Sequence, residues 1–79
     1  MKKALYFIIS SIVDNPEKVT IEEQEQDGII NFIIKVDNSD MGKIIGKNGR
    51  IIRSIRNVMK IPAIKQNKKI NVTLAEQAS

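Results

Sequence analysis

The sequence predicts a single small α+β domain of two layers, in which helices cover one face of a three-stranded mixed sheet. Its 79 residues suffice for one domain of modest size. Apolar residues recur at helical spacing near the start and in the second half of the chain, and they alternate with polar residues in three other stretches. The predicted element order is α-β-β-α-α-β. The helix pair before the last strand is long enough for a crossover, which permits this strand to lie parallel to the central one.

The first element is an amphipathic helix. Its apolar stripe follows the spacing i, i+3, i+4, i+7, i+8 and consists of Leu5, Ile8, Ile9, Ile12 and Val13. The Asp-Asn-Pro turn at 14–16 should end it, because a residue before proline is pushed out of the helical region. Lys2 and Lys3 ahead of an apolar run also resemble a signal peptide, but Ser10 and Ser11 interrupt the run, which is too short to span a bilayer. We expect a cytoplasmic protein without a membrane segment.

A β-hairpin is predicted next. Val19 and Ile21 alternate with polar neighbours up to Gln26, and Asp27-Gly28 is a two-residue sequence favoured in tight hairpins. The second strand is Ile29–Val36. Its two faces carry Ile30, Phe32, Ile34 and Val36 on one side and Ile29, Asn31, Ile33 and Lys35 on the other. Because both faces are nearly apolar, this strand should be the central one.

Two helices interrupted by glycines follow the hairpin. Asn38-Ser39-Asp40 offers N-cap side chains for a short helix through Met41, Ile44 and Ile45. The second helix is indicated by apolar residues at helical spacing, namely Ile51, Ile52, Ile55, Val58 and Met59. Pro62 should end or kink this helix, because proline lacks a backbone donor and clashes with the preceding turn.

A polar loop and a last strand complete the domain. The loop is predicted at Lys65–Lys69, and in the strand Ile70, Val72 and Leu74 alternate with polar residues. We expect the domain to cover residues 1–75 and residues 76–79 to form a short flexible C-terminal tail.

The composition excludes several classes of enzyme. The chain contains no cysteine and no histidine. Disulfides, thiolate nucleophiles, the commonest general base and the commonest zinc ligand are therefore missing, and with them Ser-His-Asp and Cys-His catalysis. We expect no enzymatic activity, no metal and no other cofactor.

Positive charge is concentrated in one part of the chain. Residues 1–39 have a net charge of −3, residues 40–60 of +5 and residues 61–79 of +2. All three arginines, Arg50, Arg53 and Arg56, fall in the middle segment. This polarity predicts one face that binds an anionic partner.

Residues 40–50 form the only stretch that suggests a function. Gly46 should end the short helix with a positive φ, and Gly49 should begin the next helix without a side chain, so that a sugar-phosphate backbone can approach the main chain. The free N–H groups of that helix start form an anion site. Lys47 and Arg50 add positive charge, and Asn48 offers an exposed amide.

A shallow groove for bases is expected beside the loop, lined by Ile44, Ile45 and the aliphatic edge of the central strand. The candidate RNA-binding residues are Lys43, Ile44, Ile45, Gly46, Lys47, Asn48, Gly49, Arg50 and Arg53.

Each of these features also has a purely structural interpretation. The glycines are compatible with a tight turn between helices, and the basic residues after Arg50 with a solvated helix face. The isoleucines of the two helices are more typical of core than of a ligand groove, although Ile45 is able to serve both. A Walker loop is excluded, since it needs four residues between its glycines and Lys-Ser or Lys-Thr after them, whereas Asn48 follows Lys47.

The loop resembles the signature of a known nucleic-acid-binding domain. Ile-Ile-Gly-Lys-Asn-Gly-Arg at 44–50 is similar to the glycine loop of the K-homology (KH) RNA-binding domain, and the element order resembles its bacterial, type II arrangement. The whole chain resembles the family of small stand-alone bacterial KH-domain RNA-binding protein A. The similar parts are the opening helix, the Asp-Asn-Pro turn at 14–16, the stretch 40–47 and the closing strand Lys68–Leu74. One departure is Pro62, where the family usually continues an alanine-rich helix.

This resemblance implies a function and partners. Members of the family are thought to bind cellular RNA as chaperones or post-transcriptional regulators, to self-associate, and to work with a larger Jag-type protein that has a KH domain of its own. They are linked to cell elongation and peptidoglycan homeostasis. We therefore expect single-stranded RNA as the ligand, with single-stranded DNA left open, and a homodimer or heterodimer. The alternative is a protein-interaction module on a KH scaffold with weak or lost RNA binding.

Overall fold

The predicted order of elements is confirmed by a computed structural model, which describes residues 1–75. The helices are α1 (Lys2–Ile12), α2 (Met41–Ile45) and α3 (Arg50–Lys65), and the strands are β1 (Thr20–Gln26), β2 (Ile29–Lys35) and β3 (Lys69–Leu74). Single turns of 3₁₀ helix lie at Pro16–Lys18, Asn38–Asp40 and Lys47–Gly49. The predicted tail at 76–79 lies outside the described residues, so the limits of the domain stay a prediction.

The three strands form the predicted mixed sheet. β2 is central, with β1 antiparallel on one side and β3 parallel on the other. Asp27 and Gly28 have φ angles of 54° and 78°, as a two-residue type I′ hairpin turn requires. Because this turn matches the twist of the strands, it fixes the register in which Gln26 faces Ile29.

The core lies between one face of the sheet and the helices. Along β2, alternate residues are buried, and the residues between them are exposed or half-buried. The apolar stripes of α1 and α3 pack on this face. The buried cluster comprises Leu5, Ile9, Val13, Val19, Ile21, Ile30, Phe32, Ile34, Val36, Ile44, Ile52, Ile55, Met59 and Val72. Within residues 1–75, the residues on the opposite face of the sheet are exposed or half-buried, which agrees with the two-layer arrangement.

Of the two outcomes expected at Pro62, an end or a kink of the helix, the end is wrong, because α3 continues to Lys65. Proline lacks only its own N–H, so the bond forgone is the one to the carbonyl of Val58, a residue that is half exposed and open to water. The last turn is held by Ala63, which is 2% exposed, and by Gln66 N–H, which donates to Pro62 O at 3.1 Å. The predicted loop at Lys65–Lys69 is accordingly reduced to residues 66–68.

No helix in the described part of the chain is long and apolar enough to cross a membrane.

Candidate nucleic-acid interface

The loop between α2 and α3 is a tight turn in which three residues have positive φ angles. Gly46, Asn48 and Gly49 have φ angles of 73°, 58° and 71°. Gly46 N–H donates to Gly42 O at 2.9 Å and so ends α2, and Gly49 N–H donates to Gly46 O at 3.2 Å. The positive φ predicted for Gly46 is confirmed, and Gly49 needs glycine for the same reason.

Gly46 also needs glycine because α3 passes close to it. A Cβ built at this position would lie 2.5 Å from Cγ1 of Ile51, a separation that side chains do not show. At Gly49 the nearest side-chain atom would be 4.0 Å away. The two glycines thus have different roles. Gly46 allows the loop to fold against α3, whereas Gly49 allows a left-handed backbone conformation.

The tip of the loop presents donors and positive charge to solvent. Lys47, Asn48 and Arg50 are exposed, and no side chain caps the start of α3. Arg50 N–H, the first of the helix, donates to Lys47 O, so an anion here meets the positive end of the helix dipole and the basic side chains around it. Arg53 Nη2 donates to the backbone carbonyl of Asn48 at 3.3 Å, which places a second guanidinium beside the loop.

Lys43 points away from this cluster of donors. Its Nζ donates to the Asp14 carboxylate and lies 3.7 Å from Oδ1 of Asp40. The hydrogen bond to Asp14 raises the pKa of Lys43 above its ordinary value, against a smaller opposing effect of burial. Lys43 is thus partly neutralised by carboxylates, which weakens its attraction for an anion.

A buried carboxylate fixes the start of α2. Asp40 has no accessible surface, and its oxygens accept hydrogen bonds from Asp14 N–H at 3.1 Å and Asn15 N–H at 3.0 Å. The amide of Asn15 donates a third bond at 3.1 Å. The prediction that Asn38-Ser39-Asp40 supplies a capping side chain for α2 is therefore wrong, because Asp40 holds the N-cap position without a capping hydrogen bond. The preceding 3₁₀ turn is capped by Asp37, which accepts from Ser39 N–H. Asp40 instead joins the end of α1 to the helix that carries the glycine loop.

Replacing Asp40 by Asn should destabilise the domain, and most strongly at neutral pH. Burial raises the pKa of the Asp40 carboxyl, but the hydrogen bonds from Asp14 and Asn15 and the charge of Lys43 outweigh it, so the pKa lies below the ordinary 3.8. The stabilisation is then complete above the unfolded pKa of about 4 and is lost as the pH falls through the folded pKa. Thermal melts should show a difference between wild type and Asp40→Asn that shrinks below about pH 4. A difference independent of pH would contradict this assignment.

The two isoleucines before Gly46 have different environments. Ile44 is 0% exposed and belongs to the core, whereas Ile45 is 40% exposed beside the loop. Of this pair, only Ile45 offers surface to a ligand; Ile44 supports the helix from beneath.

Both edges of β2 are paired, so the central strand has no free edge to line the predicted groove. The concave surface lies instead between α3 and β3, where a cavity of about 440 Å³ opens to solvent. Arg53 of α3 bonds to the loop and also lines this cavity, so the loop and the cavity adjoin each other. The other lining residues are Asn31, Arg56, Asn57, Lys60, Ile70, Asn71, Val72 and Thr73.

Some of these additional lining residues can be predicted from the sequence, and others cannot. Arg53, Arg56 and Lys60 follow the spacing i, i+3, i+7, which places them on one face of α3. Asn31 and Asn71 come together only because β2 and β3 pair in register, and the Asn71 side chain donates to that of Asn31 at 3.0 Å. Within residues 1–75, no group of three acidic, histidine or cysteine side chains is placed to hold a metal ion.

Comparison with known proteins identifies the family. A family described as "KhpA/KhpB, KH domain" matches residues 2–74. The chain is 46% identical over 74 residues to RNA-binding protein KhpA of Clostridium perfringens, covering 94% of this chain and 99% of the relative. It is 36% identical over 77 residues to RNA-binding protein KhpA of Chlamydia trachomatis, covering 98% and 99%. It is also 36% identical over 76 residues to RNA-binding protein KhpA of Listeria monocytogenes, covering 96% and 100%. With a glycine loop, a mixed sheet and near full-length matches of this kind, the chain belongs to the KhpA/KhpB family of KH domains.

Proposed function

We propose that this chain binds single-stranded RNA and catalyses no reaction. The observation that carries the proposal is the uncapped start of α3, which lies beside exposed Lys47 and Arg50 and behind a backbone that only glycine permits at Gly46. Such a site suits a phosphate group. The relatives named RNA-binding protein KhpA support RNA as the polymer that carries it.

The residues of the proposed site divide into two groups. The loop and the first turn of α3 contact phosphate, with Gly46, Lys47, Asn48, Gly49, Arg50 and Arg53 as the contacts and Lys43 as a weaker one. Ile45 offers apolar surface to a base, and Ile44 holds it in place. Since no aromatic side chain of residues 1–75 lines the cavity, bases are expected to rest on aliphatic surface and to form hydrogen bonds, rather than to stack on rings.

A salt titration tests this proposal. We expect the protein to hold about four nucleotides, as KH domains do. With about two to four phosphates neutralised at about −0.7 each, log affinity should fall against log salt with a slope of about −1.5 to −3. The measurement is the affinity for an unstructured RNA oligonucleotide at several salt concentrations, beside a duplex of the same length. An affinity that does not depend on salt concentration, or a preference for the duplex, would favour the alternative of a protein-interaction module.

The proposal includes self-association or pairing with a larger Jag-type KH protein. One such domain makes few RNA contacts, and joining two raises the effective concentration of the second site. Ile61 and Ile64, at the end of α3, are 59% and 75% exposed, and Val58 extends the same side of the helix. Exposed apolar residues grouped in this way favour a protein contact.

Sedimentation of the wild type and of an Ile61→Ser/Ile64→Ser variant tests the contact. The wild type should form a dimer at tens of micromolar, or be recovered with a Jag-type partner, and the variant should do neither. Both positions are exposed, so the stability should change by no more than about 0.5 kcal/mol. A wild type that stays monomeric and recovers no partner would remove this part of the proposal.

In the cell, we propose a cytoplasmic RNA chaperone or post-transcriptional regulator linked to cell elongation and peptidoglycan homeostasis. The support is the family to which the chain belongs. Crosslinking the protein to RNA in living cells and sequencing the attached RNA would identify its targets. Recovery of no RNA above the background of a loop variant would contradict this role.

A further inference from the structure

The outer edge of β3 is a row of backbone donors and acceptors that faces the cavity. Lys69 N–H donates to Gly28 O and Ala75 N–H to Ile34 O, so odd-numbered residues turn their backbone groups towards β2. The even-numbered residues between them, Ile70, Val72 and Leu74, turn theirs outward. In the described chain no further strand pairs with this edge.

One acceptor on this edge is already occupied by a charged side chain. Arg56 Nε donates to Val72 O at 2.9 Å across the cavity, in a part-buried position. A guanidinium has five N–H donors, so the four on its terminal nitrogens remain for a ligand. Around Val72 the guanidinium donors of Arg56 therefore stand in front of the strand edge, and one lone pair of the Val72 carbonyl is occupied.

The cavity has the size of a small-molecule site. Its volume of about 440 Å³ lies within the usual range of about 300–1,000 Å³ for such sites. Ile70 and Val72 supply apolar surface, while Asn57 and Thr73 supply polar groups. Because Arg53 both lines the cavity and bonds to the glycine loop, a strand whose phosphate lies on the loop has a continuous path to it.

The two purines differ in what they require from such a site. Guanine presents two adjacent acceptors, O6 and N7, which a guanidinium binds with two parallel hydrogen bonds. Adenine presents an amino group beside each of its neighbouring ring acceptors, and this amino group needs an acceptor from the protein. Placed against the same guanidinium, the amino group of adenine would meet another donor where O6 of guanine accepts, so the adenine complex forgoes that hydrogen bond.

We propose that Arg56 selects guanine over adenine in this cavity, by holding the Val72 carbonyl oxygen and presenting its remaining N–H groups to O6 and N7 of guanine. The inference rests on the proposed binding of single-stranded RNA and adds the specificity of one position. It makes Arg56 a specificity-determining residue, whereas the loop residues bind every sequence alike.

The test uses two single-stranded RNAs with a uridine background that differ only in one central purine, guanine or adenine. The wild type should bind the guanine RNA about three- to ten-fold more tightly, the effect of one hydrogen bond gained or left unmade. Arg56→Met should weaken both complexes and reduce the ratio to about one, because the freed carbonyl then accepts from adenine. Arg56→Lys, which keeps the charge but not the planar fork, should bind both RNAs nearly as tightly as the wild type with a reduced ratio.

Lys60→Met is the matched control. Lys60 lines the same cavity, on the same face of α3, and its replacement removes the same charge without freeing a strand carbonyl. It should weaken both complexes equally and keep the ratio of the wild type. Melting temperatures confirm that each variant is folded. A wild type that binds both RNAs equally, or an Arg56→Met variant that keeps the ratio, would overturn the role of Arg56, whereas a wild type that binds neither RNA would overturn RNA binding itself.

Discussion

Replacing Lys47 and Asn48 together by Asp is expected to lower the affinity for single-stranded RNA about 100-fold and to leave the fold intact. The double change shifts the charge at the start of α3 by −3. At about 1 kcal/mol for each exposed charge contact, this amounts to about 3 kcal/mol, or about 100-fold. Both side chains are exposed, and aspartate tolerates the left-handed backbone of Asn48 at φ 58°.

The matched control moves the same charge to another part of the surface. Lys3→Asp/Gln26→Asp alters exposed residues on α1 and at the hairpin, outside the loop and the cavity. At about 0.1 M salt, charges beyond about 10 Å are largely screened, so this variant should lose less than about three-fold in affinity. Affinity and melting temperature are measured for both variants. If the loop variant has the melting temperature and the RNA affinity of the wild type, the loop does not bind the phosphate. The protein-interaction module is then the better interpretation.

Gly46→Ala is expected to be the most destabilising single substitution in the loop, at about 3 kcal/mol. The backbone at Gly46, with φ 73° and ψ 175°, lies in a region populated almost only by glycine, and another residue there costs about 1–3 kcal/mol. The contact of the new Cβ with Ile51, at 2.5 Å, adds a packing cost of similar size. Thermal unfolding should show a melting temperature lowered by more than about 10 °C.

Two other glycines separate the causes of this effect. Gly49→Ala places a β-carbon on a backbone with positive φ but without a close contact, and it should lower the free energy of unfolding by about 1–2 kcal/mol. Gly42 lies inside α2 with nothing within 4 Å of a new Cβ, so Gly42→Ala should stabilise by about 0.5–1 kcal/mol. If the Gly46→Ala and Gly42→Ala variants had the same melting temperature, the loop would not hold the observed conformation.

The fold follows from patterns that are local in the sequence. The stripe of α1, the alternation in β2 and the Asp27-Gly28 turn each involve residues close in the chain, and each is found where it was predicted. The parallel pairing of β3 follows from the length of the crossover between the strands. The positive φ at Gly46 is equally local, since a helix that ends abruptly before another begins requires it.

The parts that the sequence did not predict depend on contacts between distant residues. Asp40 accepts hydrogen bonds from residues 25 and 26 positions away, so its local sequence suggests only a helix cap. From the sequence, Pro62 predicts a helix end or a kink, yet the burial of Ala63 beyond it keeps the last turn in place. The position of the groove depends on which strand has a free edge, and this is decided by the pairing of β3 with β2, which leaves Arg56 beside Val72.

The central claim is that the loop after α2 binds the RNA phosphate, and the most direct measurement is to map the contact on the protein. Isotope-labelled protein is titrated with an unstructured RNA oligonucleotide while the backbone amide signals are followed by NMR. We expect the largest changes at Lys47, Asn48, Gly49 and Arg50, with a second group at 70–73 along β3, and little change in β1 or α1. Changes concentrated on α1 or β1, with the loop amides unmoved, would contradict the claim.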